Sequence, residues 1–183
     1  GLLTTIIIFG ASGDLTQRKL IPSLFNLFRK RRTPKKFKIV GFGGTAFTDE
    51  QFREHLYKGM KDHAGYEFTD EDWNIFAPNL HYLSGKYTEA SDFQTLAEYL
   101  TKMEDGEANR LFYMALPPTL FPAIIDNLDA SGQLHENGAW RRVVLEKPFG
   151  TDHASAVTLN KQVHKALNEN QIYRIDHYLG NET

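Results

Sequence analysis

At 183 residues, with 41% hydrophobic and 13% aromatic content, the chain can bury one substantial core, and a single domain is the expected organisation. It has no cysteine, which excludes disulfides, thiolate zinc sites and a cysteine nucleophile, and no apolar run near the roughly 20 residues that span a bilayer. A formal net charge of −2 gives little support to a nucleic-acid partner, so a soluble, cytoplasmic protein without a membrane partner is expected.

Leu3 to Phe9 is a nearly unbroken apolar run that reads as a strand buried on both faces. It leads into Gly10-Ala11-Ser12-Gly13 and then Asp14-Leu15, the opening of an amphipathic segment. Without side chains at Gly10 and Gly13 the backbone can turn tightly and approach a diphosphate, which would rest on the amides at the following helix N-terminus. The spacing is G-x-x-G, not G-x-G-x-x-G, and glycine pairs also serve ordinary strand-to-helix turns. Leu20, Ile21, Leu24, Leu27 and Phe28 then follow helical spacing, giving a helix over about 17–31 with Pro22 in its tolerated first turn. The basic run Arg29-Lys30-Arg31-Arg32, with Lys35-Lys36, falls at that helix end, where cations complement the dipole.

Further along, Lys38 to Phe42 reads as a strand, 48–64 as a helix, and 70–76 as a short helix entered through Thr69. Strand signals recur at 80–83, 111–115, 142–145 and 172–175, separated by helical stretches near 89–104, 118–130 and 151–168. Repeated βα units imply an α/β fold of the Rossmann-like, doubly wound kind: an open, mainly parallel sheet with helices on both faces. Gly10–Gly13, Gly41-Phe42-Gly43-Gly44, Leu116-Pro117-Pro118, Glu146-Lys147-Pro148 and Asp176-His177-Tyr178 all follow an expected strand. They should therefore share the carboxyl edge of the sheet, where open α/β folds bind ligands.

The functional and the bland readings stand side by side at several of these positions. Lys19 and Lys147 are either donors at that edge or surface lysines. Asp176 and His177 are neighbours on extended backbone, so their side chains point to opposite sides and serve separate ends; a capping aspartate and a core histidine is the alternative. Gly85, Lys86 and Tyr87, after the third strand, are candidates for the adenosine end of a cofactor or else ordinary loop. The remaining histidines (55, 63, 81, 135, 153 and 164) show no paired metal spacing, and no metal is expected. Ser12 lacks the flanking glycines of a nucleophile elbow.

Gly10-Ala11-Ser12-Gly13-Asp14-Leu15-Thr16-Gln17-Arg18-Lys19-Leu20, Glu146-Lys147-Pro148-Phe149-Gly150 and Arg174-Ile175-Asp176-His177-Tyr178-Leu179-Gly180, in this order and separation, resemble the coenzyme domain of the glucose-6-phosphate dehydrogenases. The resemblance runs from Gly1 to about Gly180, and the last segment is its most specific part. It implies hydride transfer from C1 of glucose 6-phosphate to NADP, with NAD as the other option, giving the lactone. Cofactor contacts would come from Gly10, Ala11, Ser12, Gly13, Asp14 and Leu15, from Gly44 and Thr45, from Lys86 and Tyr87, and from Leu116, Pro117 and Lys147. Leu116-Pro117-Pro118 would skirt the nicotinamide half as a rigid strand exit. Lys147 would lie between sugar and nicotinamide, Lys19 would align the two ligands, and His177 and Tyr178 would contact the sugar phosphate. Asp176 would orient a catalytic histidine contributed from farther along, in an α+β substrate domain that this chain, read as a coenzyme domain over 1–183, does not contain. A homo-oligomer formed through that missing domain is also implied.

Two positions depart from the family pattern. Gly44, followed by Thr45, stands where NADP-using members typically have an arginine for the 2′-phosphate, and Asn181 stands where a phosphate-binding lysine usually follows Leu-Gly. Weak cofactor discrimination and weakened substrate-phosphate affinity are the expected results. Another sugar dehydrogenase carrying the Glu-Lys-Pro turn, or a dinucleotide-sensing module without hydride transfer, is the alternative reading.

Overall fold

The computed structural model describes residues 1–147 and 153–176. Strands β1 (Leu3–Phe9), β2 (Phe37–Gly43), β3 (Leu80–Ser84), β4 (Ala108–Met114), β5 (Arg141–Lys147) and β6 (Ile172–Asp176) form one sheet in the order β3-β2-β1-β4-β5-β6. Every neighbouring pair is parallel. This is the doubly wound Rossmann order, with β1 central and the order reversing between β1 and β4.

The strand signals all become strands with bounds set by ladder pairing: β2, β3, β5 and β6 run at least one residue further than expected, while the signal at 111–115 becomes β4, which starts three residues earlier opposite Leu3 and ends before Ala115. Helices α1 (Ile21–Arg29), α2 (Asp49–His63) and α3 (Asp70–Phe76) pack on one face, around Ile6, Ile8, Phe25, Leu56 and Phe76. Helices α4 (Ala90–Glu104), α5 (Phe121–Ala130) and α6 (His153–Ala166) cover the other, around Ile7, Phe9, Phe93, Ile124 and Leu159. β1 thus sends alternate side chains into two cores, which explains its unbroken apolar run. α2 begins in a capping box between Thr48 and Gln51, and α3 is capped by Thr69, whose hydroxyl accepts from Asp72 N–H at 3.1 Å.

The first crossover helix departs from expectation. Helical backbone begins at Asp14, and Thr16–Leu20 is a π-helical turn closed by Ile21 N–H donating to Thr16 O. Pro22 supplies the physical reason: it has no N–H to give to Arg18, four residues back, and its ring would crowd that carbonyl in a regular helix. The widened turn relieves this and leaves Pro22 in the first turn of α1.

Candidate functional site

The ends of the five strands that these motifs follow lie at one edge of the sheet, because every strand runs parallel. At the end of β1 the chain turns at Gly10, whose φ of +87° favours glycine. A Cβ there would also run into the carbonyl oxygen of Ala115, at the end of β4. The turn is closed from within, since Gly10 O accepts from Gly13 N–H at 3.0 Å and from the Thr16 hydroxyl at 2.9 Å. The first i→i−4 bond of the following helix runs from Gln17 N–H to Gly13 O at 3.1 Å. The N–H groups of Asp14, Leu15 and Thr16 precede that first bond, and the start of a helix, where such groups lack an intrahelical acceptor, is suited to an anion. Gly13 differs from Gly10 in having no positive φ: a Cβ there would meet only Gly10 O, at 3.3 Å, so the residue leaves open the space above the turn.

Support comes from behind. A Cβ at Gly41 would lie 2.7 Å from both the Ala11 methyl and the Phe52 ring, so that glycine lets the turn and α2 close on β2. Beyond β2, Gly44 is exposed and a Cβ on it meets nothing within 4 Å. Thr45 is exposed too; its hydroxyl shares a hydrogen bond with that of Ser12 at 3.1 Å, and its carbonyl accepts from the Tyr82 hydroxyl at 2.6 Å. The loops after β1 and β2 are therefore joined through two neutral hydroxyls.

After β3, Lys86 is exposed and its N–H donates to Asp92 at 2.7 Å. Tyr87 does not project outward from its loop. Its hydroxyl accepts from Gly10 N–H at 2.8 Å and donates to Phe42 O at 3.0 Å, beneath the glycine turn. Burial pushes this phenol above its ordinary value, so it stays a donor at neutral pH. Thr16 and this role of Tyr87 escaped the sequence reading: the Thr16 hydroxyl reaches back six residues to Gly10 O without belonging to a periodic pattern, and the Tyr87 contacts join residues 77 and 45 positions apart.

Leu116 is half-buried and Pro117 exposed after β4, leading through a 3-10 turn at Pro118–Leu120 into α5. Next to it, Pro118, Thr119, Pro122, Ala154, Thr158 and Leu159 line a cavity of about 390 Å³ between the starts of α5 and α6. Lys19 is half-buried within the π turn. Lys147 and Asp176 are register partners at the ends of β5 and β6, which brings these positions of two separate motifs side by side. Their side chains, and all of Pro148, His177, Tyr178 and Asn181, lie outside the described residues. Just before Lys147, the buried Glu146 accepts from the Tyr113 hydroxyl at 3.5 Å; burial, and then the carboxylate, push that phenol well above its ordinary value.

Residues 7–183 match the family model described as glucose-6-phosphate dehydrogenase, NAD binding domain. The chain belongs to the glucose-6-phosphate dehydrogenase family. It is 39% identical over 181 residues to glucose-6-phosphate 1-dehydrogenase of Aggregatibacter actinomycetemcomitans, covering 97% of this chain and 36% of that protein. Against the enzyme of the same name from Treponema pallidum the identity is 42% over 182 residues, covering 97% and 35%. Among solved structures, a glucose-6-phosphate dehydrogenase in complex with its substrate glucose 6-phosphate superposes with a TM-score of 0.81 at 34% identity, covering 96% of this chain and 36% of that one. The Mycobacterium avium glucose-6-phosphate 1-dehydrogenase gives 0.83 at 32%, with the same coverage. The chain spans about a third of the length of the curated relatives it matches.

Proposed function

We propose that this chain is the coenzyme-binding part of a glucose-6-phosphate dehydrogenase acting in the cytoplasm at the start of the pentose phosphate route. The observation that carries the reading is the convergence at one sheet edge of a closed glycine turn, with helix N–H groups ahead of it, and the paired positions Lys147 and Asp176. The turn suits a dinucleotide on physical grounds: Gly10 has both backbone polar groups satisfied internally, Gly13 leaves the space above clear, and Gly44 leaves room beside the ribose end. A bound NADP or NAD supplies the hydride acceptor.

Within this scheme the chain's residues divide the work by position. The amides ahead of Gln17 hold the diphosphate, and Ser12 and Thr45 face the adenosine ribose as neutral donors. Leu116 and Pro117 form a rigid wall for the nicotinamide side. Lys147 holds the sugar against that wall, and Lys19 reaches in from the π turn to align the two ligands. Asp176, His177, Tyr178 and Asn181 complete the substrate end: the aspartate orients the histidine that takes the C1 hydroxyl proton, the next two bind the sugar phosphate, and Asn181 offers an amide where a cation is usual. That proton acceptor, and the surface through which copies of the enzyme associate, belong to a segment beyond Thr183.

Assaying the full-length protein against a panel of phosphorylated and free sugars tests the assignment, with reduction of NADP or NAD dependent on glucose 6-phosphate as the expected result. Preference for another sugar would move the protein to a different dehydrogenase class, and dinucleotide binding without reduction to a sensing role. Residues 1–183 alone should oxidise no glucose 6-phosphate, because the donors are present and the base is not. Turnover by that piece near the rate of the full-length protein would overturn the placement of the base.

A further inference from the structure

We propose that Tyr87 is a positioning residue for the dinucleotide, fixing the glycine turn against the end of strand β2 through a hydroxyl bridge from Gly10 N–H to Phe42 O. This rests on the reading that the turn takes the diphosphate. Phe9 and Phe42 are the last register partners of β1 and β2, and the bridge joins the two strands one step beyond them, where the backbone turns away at Gly10. It uses the phenol once as acceptor and once as donor, so its loss leaves both a donor and an acceptor without a partner.

Tyr87 is itself held from other elements. Its carbonyl accepts from the Asn127 side-chain amide of α5 at 2.9 Å. Its ring stands edge-on to Phe9 at 6.2 Å and tilted against Phe42 at 6.0 Å. The loop that carries it can fold over β2 because Gly85 has no Cβ, which would otherwise run into the Phe42 ring.

A second phenol makes the effect separable. A Cβ at Gly43 would lie 3.2 Å from the Tyr87 hydroxyl and 3.3 Å from that of Tyr82, so the two phenols flank this glycine. Tyr87 holds the turn beneath the diphosphate, whereas Tyr82 holds the carbonyl of Thr45, at the ribose end. Burial keeps both protonated, Tyr82 being pushed up to about 12, so both remain donors across the physiological range. The diphosphate is common to NADP and NAD, and the ribose 2′ position is what distinguishes them. Removing the Tyr87 hydroxyl should therefore weaken both cofactors alike, and removing that of Tyr82 should alter their ratio.

The test is a fluorescence titration of NADPH and NADH on the full-length protein and its Tyr87→Phe and Tyr82→Phe variants, with thermal unfolding and glucose 6-phosphate calorimetry alongside. Tyr87→Phe is expected to raise both dissociation constants by the same factor, roughly tenfold, and to leave sugar affinity unchanged. Tyr82→Phe is expected to change the NADPH-to-NADH ratio with a smaller common loss. A merely structural tyrosine would lower the unfolding temperature and leave the affinities of the folded protein where they were. If Tyr87→Phe does not fold, Asn127→Ala, which frees the tyrosine's backbone and keeps its hydroxyl, should weaken both cofactors in the same direction by less. Wild-type affinities in the variant that folds would overturn the role of Tyr87 while the diphosphate reading stands. Failure of the wild-type protein to bind either cofactor would overturn both.

Discussion

The two edges of the sheet use similar residues to opposite ends. At the amino edge, Arg110 donates to Glu104 through Nη2 at 2.6 Å and through Nε at 3.1 and 3.2 Å, and the Thr5 hydroxyl donates to the same carboxylate at 2.7 Å. The Glu104 and Arg110 side chains are only 2% and 9% exposed. Beside them, burial and then the charge of Arg110 hold the Arg141 guanidinium below its ordinary value, and Glu104 opposes this shift. These charges are held by other parts of the chain, Arg110 by Glu104 and Arg141 by the carbonyl of Ala108 at 2.6 Å. At the carboxyl edge the internal bonds close the turn beneath, at Gly10 and Thr45, while Gly13 and Gly44 stay exposed above it. Burial of matched charge makes the first edge rigid; the second is rigid beneath and unsatisfied above, which is what a ligand requires.

The sharpest way to separate the edges is to break the first. Glu104→Gln leaves the Arg110 charge buried without its counter-ion and should destabilise the protein by about 3–5 kcal/mol in urea unfolding. Dinucleotide affinity of the folded protein should stay unchanged; a matching loss of affinity would mean that the edges are coupled. Gly13→Val addresses the other side. Its Cβ would press on Gly10 O at 3.3 Å and its methyls would occupy the space above the turn, so a small loss of stability is expected while calorimetry on the folded variant shows dinucleotide affinity falling by at least about tenfold, about 1.4 kcal/mol. Unchanged affinity with an intact fold would remove the turn from the diphosphate site.

A third comparison uses alkaline pH. Tyr82 is raised from 10.0 to about 12 by burial, so its protonated form is favoured in the folded state. The stability it contributes is fully present below pH 10 and is lost as pH rises through about 12. Unfolding measured across this window should show declining stability, with a shallower slope for Tyr82→Phe, and an identical slope would contradict the role of its buried hydroxyl. The smallest expected effect is cofactor choice. With only neutral donors at Ser12 and Thr45, NADP should be favoured over NAD by no more than roughly tenfold in kcat/KM, about 1.4 kcal/mol. Gly44→Arg, in open space, should move the ratio toward NADP. Strong NADP selectivity in the unmodified protein would point to a cation elsewhere, such as Arg18, reaching the 2′-phosphate.

The parallel sheet and its shared edge were legible in the residues because burial on both faces writes itself as continuous apolar runs, and a βα repeat then leaves few topologies. The π turn was not, since five residues from Thr16 to Leu20 are too few to distinguish its period from that of an α-helix, and Pro22 reads equally well in either. The bridge through Tyr87 was hidden for another reason: it joins positions separated by 77 and 45 residues, and only the folded chain brings them together. Likewise, nothing in the sequence paired Glu104 with Arg110, two charged residues among many. The aspartate, lysine and histidine motifs stood out by following expected strands and took their roles from the resemblance, and the fold adds the register between Lys147 and Asp176.

The most direct test of the division between the edges is a crystal structure of the full-length protein with NADP bound. The diphosphate should lie within hydrogen-bonding distance of the N–H groups of Asp14 and Leu15, with the adenosine ribose beside Ser12 and Thr45 and the Tyr87 bridge intact. A dinucleotide seated anywhere else, or a diphosphate held away from that turn, would contradict the assignment.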